Sequence, residues 1–151
     1  MMAMISVGVW GHFLRAPLIY LLPMVFPIMM AIGAGVGMIG VPLPPVELGI
    51  ALSVVILGAL ILGAIRASVW VASAIVALFA LFHGYAHGVE LPSAADPIGY
   101  SLGFVLATGA LHVVGIATGV LALVPRGETV LRGLGGIVLA IGLYFLWAAW
   151  R

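Results

Sequence analysis

His83, His87 and Glu90 lie within the nine residues Phe-His-Gly-Tyr-Ala-His-Gly-Val-Glu, Phe82 to Glu90. On a helix, positions four apart share a face, and a residue three further on stays within reach of it. Two imidazoles and a carboxylate so spaced form a ligand face of nitrogen and oxygen without sulfur. Such a set suits a borderline divalent ion such as Ni2+, Co2+ or Zn2+. Gly84 and Gly88 remove side-chain bulk beside the histidines, which lets a neighbouring helix or an ion approach the backbone. The competing reading places the cluster at a membrane edge, hydrogen-bonded to water and loop backbone. Two histidines and a glutamate at helical spacing favour ligation, because ionisable groups inside a membrane are functional by default.

Other polar residues extend the candidate set. His112 falls midway along an apolar run, with Thr108 one turn before it. Two readings stand for it: a deeper ligand facing the cluster across an antiparallel helix pair, or a hydrogen-bonded core histidine. Glu47 opens a span on the same side as Glu90, either as a further carboxylate ligand or as an exposed surface group. Asp96, just before Pro97, is expected to cap the helix that follows.

The composition decides what positions these groups. Hydrophobic residues make up 66% of the 151 and charged residues 6%, with a mean hydropathy of +1.40. Soluble domains carry about 25% charged residues, so the expected solvent is lipid. Apolar runs are predicted to span as helices at Leu18–Val41, Glu47–Ile65, Val69–Gly88, Ile98–Val124 and Val130–Trp150, five full spans. Met1–Trp10 reads as the second half of a further transmembrane helix; it has no basic leader and no cleavage site. The fold class is therefore an all-α polytopic bundle, one transmembrane domain over residues 1–151. Continuous apolar runs without alternating polarity argue against a membrane β-barrel.

Charge orients the bundle. Arg15, Arg66, Arg126 and Arg132 fall at one end, while Glu47, Glu90, Asp96 and Arg151 fall at the other. The positive-inside bias puts the arginine loops in the cytoplasm, and the His83/His87/Glu90 end toward the periplasm or exterior. Glycines four apart at Gly33/Gly37, Gly99/Gly103 and Gly115/Gly119, with Gly133, Gly135 and Gly136, mark close helix approach. Pro23 and Pro27 introduce a kink or simple bends in the first full span.

Several classes are excluded. Cysteine is absent, which removes disulfides, thiolate metal sites and cysteine nucleophiles. Lysine is absent too, so no retinal Schiff base can form. A net charge of +1 without a basic tract gives no footprint for nucleic acid. No nucleotide-binding motif and no enzyme constellation stand out. The expected partners are a metal ion and the lipid bilayer, with no tightly bound cofactor; homo-oligomerisation is left open.

The Phe82–Glu90 stretch, together with Ala3–Gly11, Gly40–Val54 and Gly103–Gly119, resembles the HupE/UreJ proteins over nearly the whole chain. These are small bacterial membrane proteins implicated in uptake of nickel, sometimes cobalt, for hydrogenase and urease. The family signature Phe-His-Gly-X-Ala-His-Gly-X-Glu is matched by Phe82, His83, Gly84, Ala86, His87, Gly88 and Glu90. The resemblance implies Ni2+ or Co2+ as transported ion, with His83, His87 and Glu90 at the outer mouth and His112 as a deeper relay. Family members also carry a His, five residues, Asp-His pattern just ahead of the segment resembling residues 1–11. This chain begins where that pattern would end; a start at an internal methionine is the expected reason, ahead of a deliberate truncation or a divergent paralogue. The rival reading is a membrane cytochrome, with haem between His83 or His87 and His112. A third is a non-transporting accessory protein that stores or hands over metal.

Overall fold

The computed structural model describes residues 1–91 and 96–151, excepting the side chains of Glu90, Pro97, Ile98 and Ser101. Among these residues six α-helices follow one another: α1 (Met2–Leu14), α2 (Leu18–Met38), α3 (Val46–Leu62), α4 (Val69–Glu90), α5 (Pro97–Gly119) and α6 (Gly127–Trp150). A short 3-10 turn, Val120–Leu123, extends α5. No strand occurs among the described residues.

Local chemistry sets the boundaries. Pro44 and Pro45 hold the chain extended before α3. Ser68 caps α4, its hydroxyl accepting from the Val71 amide at 3.4 Å. Pro97 occupies the first position of α5, where a missing amide costs nothing. The Asp96 carboxylate lies over that first turn, Oδ2 being 2.8 Å from where a Cβ on Gly99 would stand. α2 runs unbroken through Pro23 and Pro27, although each proline deprives the carbonyl four residues earlier of its amide donor.

Among the described residues four helical segments are long and apolar enough to cross a membrane: Leu18–Met38, Val69–Val89, Leu102–Leu123 and Gly127–Trp150. The expectation of five full spans is therefore corrected. The segment predicted at Glu47–Ile65 folds as α3, 17 residues from Val46 to Leu62. At 1.5 Å per residue α3 reaches about 25 Å, short of a hydrocarbon core of about 30 Å. The proline pair delays its start, and Gly63 with the left-handed Ala64 (φ 48°) ends it early.

The expected N-terminal half-helix is α1, and it lies deeper in the bundle than any other element. Ala3, Met4, Val7, Val9 and Trp10 are all buried, and α1 packs against α2, α3 and α5. A helix apolar all round belongs in the middle of a bundle. Trp10 closes it there, its indole Nε1–H donating to the Ile65 carbonyl at 2.9 Å.

Three close helix pairs build the bundle, each through glycine. α2 and α4 run parallel: a Cβ on Gly84 would strike the Met30 carbonyl, and one on Gly88 the Ala34 carbonyl. α1 and α5 also run parallel, with Gly8 against Gly115. α3 and α6 are antiparallel, joined where Gly58 faces Leu139 and Gly142 faces Val55. Without a hydrophobic drive between helices in lipid, such backbone contact supplies the dispersion energy of association. Gly33, Gly37, Gly115, Gly119 and Gly135 thus sit at crossings as expected. Gly103 and Gly133 do not: nothing lies within 4 Å of a Cβ placed there.

Candidate metal path through the helix bundle

The glycines of the Phe82–Glu90 stretch position its histidines. Because Gly84 and Gly88 admit the α2 backbone, α2 is held one turn from His83, and Phe26 is set against the imidazole. The Phe26 and His83 ring centroids are 5.8 Å apart. Phe82 points the other way, onto α3, where Gly49 makes room for its ring: a Cβ there would lie 2.7 Å from Cδ1. That contact fixes the start of α3, and with it Glu47, near the His83 end of α4.

His83 and His112 share one hydrogen-bonding pattern. Nδ1 of His83 donates to the Phe79 carbonyl at 2.8 Å, and Nδ1 of His112 to the Thr108 carbonyl, also at 2.8 Å. A carbonyl only accepts, so each neutral ring carries its proton on Nδ1 and leaves the Nε2 lone pair for another partner. Metal-ligating imidazoles are oriented in this way. Side chains on a helix lean toward its N-terminus. Since α4 and α5 run in opposite directions, the two rings lean toward each other.

Between them stands Phe26, fully buried. It meets His112 edge-on, centroids 5.0 Å apart. Thr108 and His112 are buried as well, at 2% and 3% exposure. Nε2 of His112 is buried without a hydrogen-bond partner, a state costing about 1–3 kcal/mol. Orphaned polar atoms are rare in native structures and point to a role beyond packing. α2 thus brings Phe26 against both imidazoles, one on α4 and one on α5.

His83 and His87 open on different spaces. His83 lines a cavity of about 520 Å³ with Glu47, Ile50, Ala51, Val54 and the first residues of α1. Glu47 and His83, 36 positions apart in the sequence, thereby share one chamber. His87 faces α5 instead, its Nδ1 lying 3.0 Å from the Tyr100 hydroxyl and its ring edge-on to Phe104 at 4.6 Å. The space beside it is about 40 Å³. Glu90 ends α4, and its carboxylate lies outside the described residues. Among the described residues no three His, Cys, Asp or Glu side chains gather closely enough to hold an ion.

Three residues join the site that sequence reasoning passed over: Phe26, Tyr100 and Phe104. Tyr100 had a signal. It lies three residues into α5, as His87 lies three residues from the end of α4, and a short connection puts those turns side by side. Phe26 had none, because its place depends on the α2–α4 register.

The HupE / UreJ protein family model matches residues 1–145. Protein HupE of Rhizobium leguminosarum bv. viciae is 40% identical over 145 residues, which span 96% of this chain and 76% of that protein. No solved structure matches.

Proposed function

The chain belongs to the HupE/UreJ family, and from that premise we propose that it carries a divalent transition-metal ion, Ni2+ or Co2+, across the bacterial inner membrane. Transport is secondary or facilitated, since the sequence carries no nucleotide-binding motif. The observation that carries this reading is the orphaned Nε2 of buried His112, opposite His83 across Phe26. Two neutral imidazoles with oriented lone pairs offer successive ligands in a region otherwise apolar.

In this reading the ion enters from the periplasmic end, where positive-inside bias puts the chamber shared by Glu47 and His83. Carboxylate and imidazole replace part of its hydration shell. His87 and Glu90, at the same end of α4, belong to the entry. The ion then passes from His83 to His112 beside Phe26, each site binding weakly enough to release.

Uptake of radioactive nickel into vesicles reconstituted with the protein tests the proposal. Accumulation should exceed that of empty vesicles at least tenfold and fall to background for His83→Ala and for Glu90→Gln. Unchanged uptake in those variants at normal protein level would sink it. Stoichiometric nickel binding without any uptake would instead make the chain an accessory that stores or hands over metal.

A further inference from the structure

One histidine is left unused by that path. His12 sits in the last turn of α1, half-buried. Its Cβ lies 2.8 Å from where a Cβ on Gly119 would stand, so the absence of a side chain on α5 lets α1 end there. Gly119 follows His112 by seven positions on the same helix (119 − 112). At 1.5 Å per residue, His12 stands about 10 Å further toward the arginine end. Along the α1–α5 pair it is the next imidazole beyond the orphaned Nε2 of His112.

His12 opens on a half-open space of about 460 Å³ lined from all three connections at that end. Arg15 comes from the α1–α2 connection, Arg66 from α3–α4, and Glu128 from the first turn of α6. Ile19 forms part of the wall. The chamber thus gathers an imidazole and a carboxylate, with room for water.

We propose that His12, with the Glu128 carboxylate, forms an inner discharge site for the divalent transition-metal ion that the bundle carries. The inference rests on the transport reading above. Nitrogen and oxygen ligands suit the same borderline ion as the entry. The guanidinium groups of Arg15 and Arg66 face the same chamber and repel a dication, so the site holds its ion weakly. Weak holding is what the release end of a path requires.

The full chain in detergent and in vesicles supplies the test, with Ni2+ and Co2+ as probes. Replacing the ligand, as His12→Ala or the closer-sized His12→Asn, should lower the initial nickel uptake rate about tenfold. Arg15→Gln combined with Arg66→Gln should tighten equilibrium Ni2+ binding several-fold, which a purely structural role for the arginines would not do. On the unaltered protein, paramagnetic Co2+ should broaden the imidazole resonances of His12 together with those of His83 and His112. Uptake at the unaltered rate in both His12 variants, or His12 resonances untouched at saturating Co2+, would overturn the inference. If the unaltered chain moves no metal, the transport reading fails by itself. The Co2+ broadening then still decides whether His12 is a ligand.

Discussion

Phe26 meets His112 edge-on, with ring centroids 5.0 Å apart and planes inclined by 63°. The same ring lies 5.8 Å from that of His83, centroid to centroid, so one phenyl group packs against both imidazoles, and in the transport reading it keeps them from closing on a single ion. Removing it should convert a transfer step into a trap. Phe26→Ala is expected to bind Co2+ at least tenfold more tightly, with a stronger d–d absorption at equal metal concentration, while nickel uptake falls. The variant loses a fully buried aromatic and about 3–5 kcal/mol of stability, so Phe26→Leu, costing nearer 1 kcal/mol, is the companion measurement. Unaltered binding and uptake in both would show that the phenyl group only fills space.

The orphaned Nε2 of His112 separates stability from function. His112→Leu removes a buried polar atom that lacks a partner and replaces it with an apolar group of similar size. It also gives up the Nδ1 bond to the Thr108 carbonyl, which is worth about 1 kcal/mol. Those two changes oppose each other, so the midpoint of thermal unfolding should stay level or rise. Nickel uptake should drop to background. A markedly lower melting temperature would place His112 among the groups that hold the bundle together.

The one-turn spacing of His83 and His87, the all-helical class and the glycine-mediated packing were legible because each is a local property of one helix. Helical spacing puts His83 and His87 one turn apart whatever surrounds them. Their separation into two chambers was not legible, since it depends on which helices flank α4. α2 brings Phe26 to one side, and α5 brings Tyr100 and Phe104 to the other. The span count erred at α3 for a similar reason. Its run of apolar residues continues to Ile65, but Ala64 adopts a left-handed conformation that hydropathy cannot register. Glu47 could be named from sequence only as one of two alternatives. Its chamber with His83 is made by the contact of Phe82 with Gly49, a contact between helices.

The paired glycines predict a contrast within one residue type. A methyl group on Gly84 or Gly88 would collide with the α2 backbone, and backbone cannot yield as a flexible side chain can. Gly84→Ala or Gly88→Ala should therefore force α2 and α4 apart, at a cost of about 1–3 kcal/mol. Each should also impair uptake by moving Phe26 away from His83. Gly103→Ala meets nothing within 4 Å, and should stabilise α5 by about 0.5–1 kcal/mol. Thermal unfolding in a single detergent compares all three. A stabilising Gly84→Ala would contradict the packing described here.

Glu47 and His83 line one chamber, so their contributions to uptake should not be independent. If both ligate the entering ion, losing either one disables the same step, and losing the second adds little. Nickel uptake measured for the milder Glu47→Asp and His83→Gln and for the double variant forms a cycle. The expected coupling is about 1–3 kcal/mol, the range found for residues in one network. His87 opens on a separate space of about 40 Å³, so Glu47→Asp with His87→Ala should combine nearly additively, within about 0.5 kcal/mol. Each single variant must retain enough uptake to measure, which sub-saturating substitutions such as Glu47→Asp and His83→Gln provide. The two cycles discriminate between chambers. Strong coupling of Glu47 to His87 and none to His83 would mean that the entering ion is held on the α5 side of α4.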